Sequence, residues 1–286
     1  MTLPLTELDG AHFIGIGGVG MSALALVLRA RGLRVSGSDA REGDTTRRLR
    51  QMGVRVEIGH AAAHLGDARR VVVSSAIHDD NPELRAARER GLPLIHRSQA
   101  LASLMAAGRS VGVAGCHGKT TTTLMTGAAL TAAGLDPTVL VGGWVNEYGG
   151  GARIGARDLI VAEVDESDGS FLNIRPDLAI VTNIDFDHPD HFRDLGHVSD
   201  EFVQYLNQLP DGATVIADGD DTRCRAIAPR VGRPIVWCQF GDEGAEVAGR
   251  ILETAPGGGS LFEARLGGAV PFRVLLGVGG RHRAAR

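Results

Sequence analysis

At 286 residues, with 43% hydrophobic and 22% charged side chains, the chain has the composition of a folded protein with room for two cores, not of a disordered one. A net charge of -4 argues against general nucleic-acid binding. The three cysteines, Cys116, Cys224 and Cys238, have no C-x-x-C spacing, which speaks against a disulfide framework or a thiolate metal site. No apolar run reaches the ~20 residues needed to cross a bilayer, and the opening residues lack a signal-peptide pattern. A cytoplasmic protein without a membrane partner is expected.

HFIGIG, ending at Gly17, reads as a buried strand, and GVGMSALALVLRARG as a helix closed by Gly32. RVSGSD is a second strand ending at Asp39, RRVVVSSA a third, and PELRAARERG a helix ending at Gly91. This alternation predicts an α/β fold: an N-terminal Rossmann-like parallel sheet over residues 1–108. At SVGVAG a new strand begins, and the boundary is set between Gly108 and Arg109. Residues 109–286 then read as a P-loop ATPase-type α/β domain, with strands at DLIVAEVD, DLAIVTNID and ATVIAD and a helix through Val198 to Leu209. From about Val247, short alternating runs separated by PGGGS and GG predict an antiparallel edge.

Gly15, Gly17 and Gly20 form G-x-G-x-x-G between a strand and a helix, the context in which backbone N–H groups and a helix N-terminus receive a diphosphate. Asp39, at the end of the second strand, is placed to hold a ribose hydroxyl. Ser74 and Ser75 lie at another strand exit, where open α/β sheets bind ligands. A dinucleotide and a nucleotide-sugar satisfy these residues equally well. A nicotinamide-dependent oxidoreductase is therefore an alternative, but it would leave the second glycine loop idle.

That second loop is AGCHGKTTTT, Ala114 to Thr123. Its strand–loop–helix frame suits phosphate binding: Gly115 and Gly118 free the backbone to wrap a phosphate, Lys119 meets its outer oxygens, and the Thr120 hydroxyl is offered to Mg²⁺. Cys116 and His117 read as plain loop residues. Downstream, Glu163 closes an apolar strand, where an unpaired carboxylate would be costly, and is the metal candidate. Glu166 and Asp168 lie in the following turn, where Glu166 is expected to be a solvated loop acid. Asp185, Asp187, His188, Asp190 and His191 crowd the next strand exit, and His188 is the candidate nitrogen ligand for a second divalent ion.

Taken together, GIGGVGMS at 15–22, VSGSD at 35–39, SSAI with DNPE at 74–83, GCHGKTTTT at 115–123, AEVDESDGSF at 162–171 and TNIDFDHPD at 182–190 resemble the motifs of the Mur ligases of peptidoglycan synthesis, in order and over nearly the whole chain. The resemblance is strongest to the branch that joins L-alanine to UDP-N-acetylmuramate, with the tripeptide-recycling branch a close competitor. It implies a UDP-sugar at Gly15, Gly17, Gly18, Val19, Gly20, Met21 and Ser22, with Asp39, Ser74 and Ser75. It implies ATP at Gly115, Cys116, His117, Gly118, Lys119, Thr120 and Thr121. One Mg²⁺ is implied at Thr120 and Glu163, and another at Glu163 and His188, with Lys119, Glu163 and His188 as the catalytic residues. The implied chemistry is activation of a lactyl carboxylate as an acyl phosphate, which the amino group of L-alanine then attacks.

The match departs at the end. Gly280, Arg281 and His282 resemble the family's G-R-H, with His282 implied to help hold ATP, but Arg283 and Arg286 stand where asparagines are expected. An arginine cannot reproduce the donor and acceptor pattern of an amide, so adenine binding is expected to be compromised there. The family's third, amino-acid-binding domain is expected to be absent from this chain, as in a truncated or frameshifted reading of a full ligase. Such a chain is expected not to complete ligation alone; a module that binds the muramyl sugar nucleotide without turnover is the alternative.

Overall fold

The computed structural model describes residues 2–156, 158–241, 245–254, 259–267 and 269–276. The first half contains β1 (Ala11–Ile14), α1 (Val19–Ala30), β2 (Val35–Asp39), α2 (Asp44–Gln51), β3 (Arg55–Ile58), β4 (Arg70–Val73), α3 (Pro82–Glu89), β5 (Leu94–His96) and α4 (Arg97–Met105). Its five strands form one parallel sheet in the order β3-β2-β1-β4-β5. The order reverses between β2 and β4 around β1, the crevice where doubly wound sheets receive ligands. Helix starts are set locally: the Asn81 side chain accepts from the Glu83 and Leu84 amides ahead of Pro82, which satisfies two of the unpaired N–H groups of α3.

The second half runs β6 (Arg109–Ala114), α5 (Lys119–Ala132), β7 (Thr138–Val145), β8 (Gly150–Arg153), β9 (Leu159–Glu163), β10 (Leu178–Val181), α6 (Leu195–Asn207), β11 (Thr214–Asp218), α7 (Thr222–Ile227), β12 (Ile235–Phe240), β13 (Val247–Thr254), β14 (Ser260–Leu266) and β15 (Phe272–Leu276). All ten strands share a sheet in the order β15-β14-β13-β12-β11-β10-β6-β9-β7-β8. Its centre is parallel, whereas β13, β14 and β15 form the antiparallel edge that the glycine-punctuated sequence predicts. The β7–β8 hairpin closes the other end.

One apolar cluster joins both sheets, running from Leu28 and Val72 through Ala23 to Leu140, Ala152 and Ile160. Helix α1 is the bridge. A Cβ added at Gly151 in β8 would lie 2.9 Å from Val19 Cγ1 and 3.3 Å from Ala23 Cβ, so the glycine lets the hairpin approach the helix at van der Waals distance. Arg48 of α2 donates to the Gly149 carbonyl at the hairpin turn, and Arg31 pairs with Asp158 at 2.9 Å.

Candidate active site

The loop after β6 is held from β10. Gly115 has φ 128° and Gly118 φ 79°, conformations that L side chains rarely adopt. A Cβ at Gly115 would stand 2.2 Å from Thr182 Oγ1. The Thr182 hydroxyl donates to the His117 carbonyl at 2.7 Å, and the Asn183 amide both donates to that carbonyl and accepts from the His117 N–H, each at 2.8 Å. Thr182 and Asn183 received no role from the sequence, although their TN dipeptide at a strand exit beside the loop was the available signal. The Cys116 thiol donates to the Asp185 carbonyl at 3.0 Å, and burial pushes it up to about 11. A thiol so protonated is no nucleophile at neutral pH, in keeping with its reading as a loop residue.

Lys119 opens α5 and donates to Glu166 Oε1 at 2.9 Å, with Oε2 at 2.8 Å. Glu166, expected as a solvated loop acid, is fully buried. The correction has a physical cause: the turn after β9 folds inward, and the Lys119 ammonium partly offsets the cost of burying the carboxylate. Burial raises the Glu166 carboxyl above the usual range, and Lys119 opposes that shift. The Thr120 hydroxyl donates to Glu163 Oε2 at 2.9 Å, and the Gly142 amide of β7 donates to the same oxygen, also at 2.9 Å. His188, at φ 54°, brings Nε2 to 3.8 Å from Glu166 Oε1. Residues 115–121, Glu163, Glu166 and His188 therefore gather around the N-terminus of α5, a terminus whose dipole favours anions. His191 leaves the group and pairs with Glu201 of α6 at 3.1 Å.

Thr120 Oγ1 and Glu163 Oε2 are hard oxygen donors side by side, the chemistry Mg²⁺ takes. No group of three or more His, Cys, Asp or Glu side chains among the described residues is arranged to hold a metal alone.

At the first glycine fingerprint, Gly15 takes φ 76°, and the Gly15 and Ile16 amides donate to the Ser38 carbonyl at 2.8 and 2.9 Å. The Gly17 amide donates to Asp39 Oδ2 at 2.8 Å. Gly15, Gly17, Gly18, Met21, Asp39 and Ser74 line one cleft of about 470 Å³. Val19 opens α1 beside it. Ser22 does not join the cleft, because it is buried and its hydroxyl donates to the Val19 carbonyl at 2.9 Å. Ser75 is exposed and also stands outside the cleft lining. Gly20 faces a different cavity, between the sheets, together with Leu24, Arg97, Leu140, Gly142 and Glu163. His282 lies outside the described residues. No helix among the described residues is long and apolar enough to cross a membrane.

The chain is 46% identical over 275 residues to a UDP-N-acetylmuramate--L-alanine ligase of Methylibium petroleiphilum, covering 95% of this chain and 58% of that protein. It is 47% identical over 271 residues to the same-named protein of Rubrobacter xylanophilus, covering 95% and 59%. Among solved structures, UDP-N-acetylmuramate-alanine ligase from Thermotoga maritima superposes with a TM-score of 0.80 at 27% identity, covering 96% of this chain and 62% of that one. The UDP-N-acetylmuramate:L-alanyl-gamma-D-glutamyl-meso-diaminopimelate ligase from Neisseria meningitides superposes with a TM-score of 0.82 at 30% identity, covering 96% and 89%. The chain thus spans somewhat under three-fifths of the length of the curated relatives it matches. Residues 10–109 match the Mur ligase family catalytic domain and residues 113–284 the Mur ligase middle domain, and with the paired glycine loops in the order described, the chain belongs to the Mur ligase family.

Proposed function

We propose that this chain supplies the sugar-nucleotide and ATP sites of an ATP-dependent ligase that joins L-alanine to UDP-N-acetylmuramate, dividing near residues 108 and 109 into the two binding units. The reading rests above all on Thr120 and Glu163 in hydrogen-bond contact beside Lys119 at the α5 N-terminus, with Gly20 of the fingerprint facing the same inter-sheet cavity as Glu163. Gly115 to Thr121 would cradle the ATP phosphates. Lys119 would exchange Glu166 for the outer phosphate oxygens and neutralise charge developing during transfer. Thr120 and Glu163 would hold Mg²⁺, with His188 beside a second ion; a bound ion supplies charge neutralisation on the phosphates. The sugar's lactyl carboxylate would attack the terminal phosphorus, forming an acyl phosphate and releasing ADP, and the L-alanine amine would then displace phosphate.

The first half of this reaction needs no amino acid, so it can be isolated. With ATP, Mg²⁺, UDP-N-acetylmuramate and hydroxylamine, the chain should yield the acyl hydroxamate, and Lys119→Ala should lower the yield by about 10²-fold or more. If the chain binds Mg²⁺-ATP and the sugar nucleotide yet forms no hydroxamate, it is a binding module. Failure to bind ATP, with or without Mg²⁺, would sink the proposal.

A further inference from the structure

Arg97 occupies a position that the glycine loops and metal candidates leave unexplained. It is the first residue of α4, directly after β5, and so projects from a carboxyl edge of the first sheet. Its Nη2 donates to Asp165 Oδ2 at 2.7 Å, across to the second sheet's loop. Asp165 lies two residues after Glu163 and also accepts from the Ser167 amide at 3.1 Å. On the opposite side, a Cβ added at Gly20 would stand 3.6 Å from Arg97 Nη1, which puts the guanidinium against the first turn of α1. Arg97, Gly20, Asp165 and Glu163 line one cavity. The Asp165 bond is the one hydrogen bond Arg97 donates among the described residues, although a guanidinium carries five N–H donors in a planar fork.

We infer that Arg97 is a substrate-binding residue that receives the carboxylate of the acceptor sugar acid in the inter-sheet cavity and aims it at the terminal phosphate of ATP, with Asp165 fixing the guanidinium plane. The inference deepens the proposed function and rests on it. Among the side chains that line this cavity Arg97 is the one cation: Leu24, Leu101 and Leu140 supply apolar wall, and Glu163 and Asp165 are themselves acidic. A planar, bidentate-capable cation is the side chain suited to hold such a group. A tether through Asp165 limits the loss of side-chain freedom when the substrate arrives.

Isothermal titration of the chain with two probes separates this role from a structural one. UDP-N-acetylmuramate carries the lactyl carboxylate, and UDP-N-acetylglucosamine carries the same diphosphate and sugar without it. Arg97→Ala is expected to weaken the first by about 10- to 100-fold and the second by less than about threefold, abolishing discrimination between them. Arg97→Lys, which keeps the charge but not the fork, should fall between the two, and Asp165→Asn should weaken the muramate selectively but less. Equal losses for both probes, or discrimination intact in Arg97→Ala, would overturn the inference while leaving the sugar-nucleotide reading standing. If the unaltered chain binds neither probe, the sugar-nucleotide reading itself falls and takes this inference with it. Thermal unfolding of each variant reports folding separately, and Arg97→Lys keeps the test valid if Arg97→Ala does not fold.

Discussion

At the scale of single residues, the Lys119–Glu166 pair sets the state of the phosphate loop before any ligand arrives. Glu166 is fully buried and Lys119 nearly so. Removing one partner of such a pair leaves an uncompensated charge, which costs more than the pair contributes. Lys119→Met should therefore lower unfolding free energy by about 2–4 kcal/mol. Lys119→Met combined with Glu166→Gln should recover much of that loss, as denaturant unfolding of the two variants and the parent would show. No recovery in the double variant would mean that the two side chains are not coupled. The sequence made Lys119 legible because glycine, lysine and threonine coincide at a strand-to-helix junction. It hid Glu166 because nothing in the string DESD distinguishes an acid that turns inward from one that faces water; only the path of the chain after β9 decides that.

At the scale of elements, β1, β2 and α3 are pinned by one carboxylate. Glu83 is fully buried in the first turn of α3, with its Oε2 2.6 Å from Ser38 Oγ and 3.0 Å from His12 Nε2. Its Oε1 accepts from the Ala61 amide at 3.2 Å, with His60 Nδ1 at 3.3 Å and His64 Nδ1 at 3.2 Å. Burial alone would raise this carboxyl, but the bonds from His12 and Ser38 outweigh it and hold the group down at about 2. Because the folded value is depressed, its stabilisation is fully present above the ordinary carboxylate range and is lost as pH falls toward 2. That loss is worth roughly 3 kcal/mol in total. Unfolding midpoints measured between pH 5 and pH 2 should fall more steeply in the parent than in Glu83→Gln, and equal slopes would refute the assignment. Ser38 is the element-level link to ligand binding, since its carbonyl receives the Gly15 and Ile16 amides of the fingerprint turn. Most strands that carry apolar runs were legible in the sequence, but β12 was passed over although IVWCQF is such a run, and so were the short β3 and β5. Other misses have a physical cause: β7 and β8 contain Gly142, Gly143, Gly150 and Gly151, which erase side-chain alternation, and α2 offers Leu49 as its one large buried apolar residue.

At the scale of the whole molecule, the two sheets share a core cluster and are crossed by the Arg97–Asp165, Arg31–Asp158 and Arg48–Gly149 contacts. Shared apolar burial of this kind couples two units more strongly than exposed ion pairs do. Differential scanning calorimetry should record one transition with equal calorimetric and van't Hoff enthalpies. Ala23→Arg, placed where α1 meets β8, should split it into two, and a single unsplit transition in that variant would deny the coupling. The Asn183 and Thr182 grip on the loop belongs to this scale as well, because it joins segments some 65 residues apart in sequence, a separation that no local pattern can register.

The seam of Val19, Ala23 and Gly151 carries a consequence for how such proteins can diversify. Gly151 has no side chain to give up, so bulk gained on α1 has no compensating deletion across from it. A chimera that grafts a foreign first half onto this second half will tolerate the graft when its helix presents equally small side chains to the hairpin. Bulk added to the α1 face at this seam is thus expected to require a shift in the path of the hairpin.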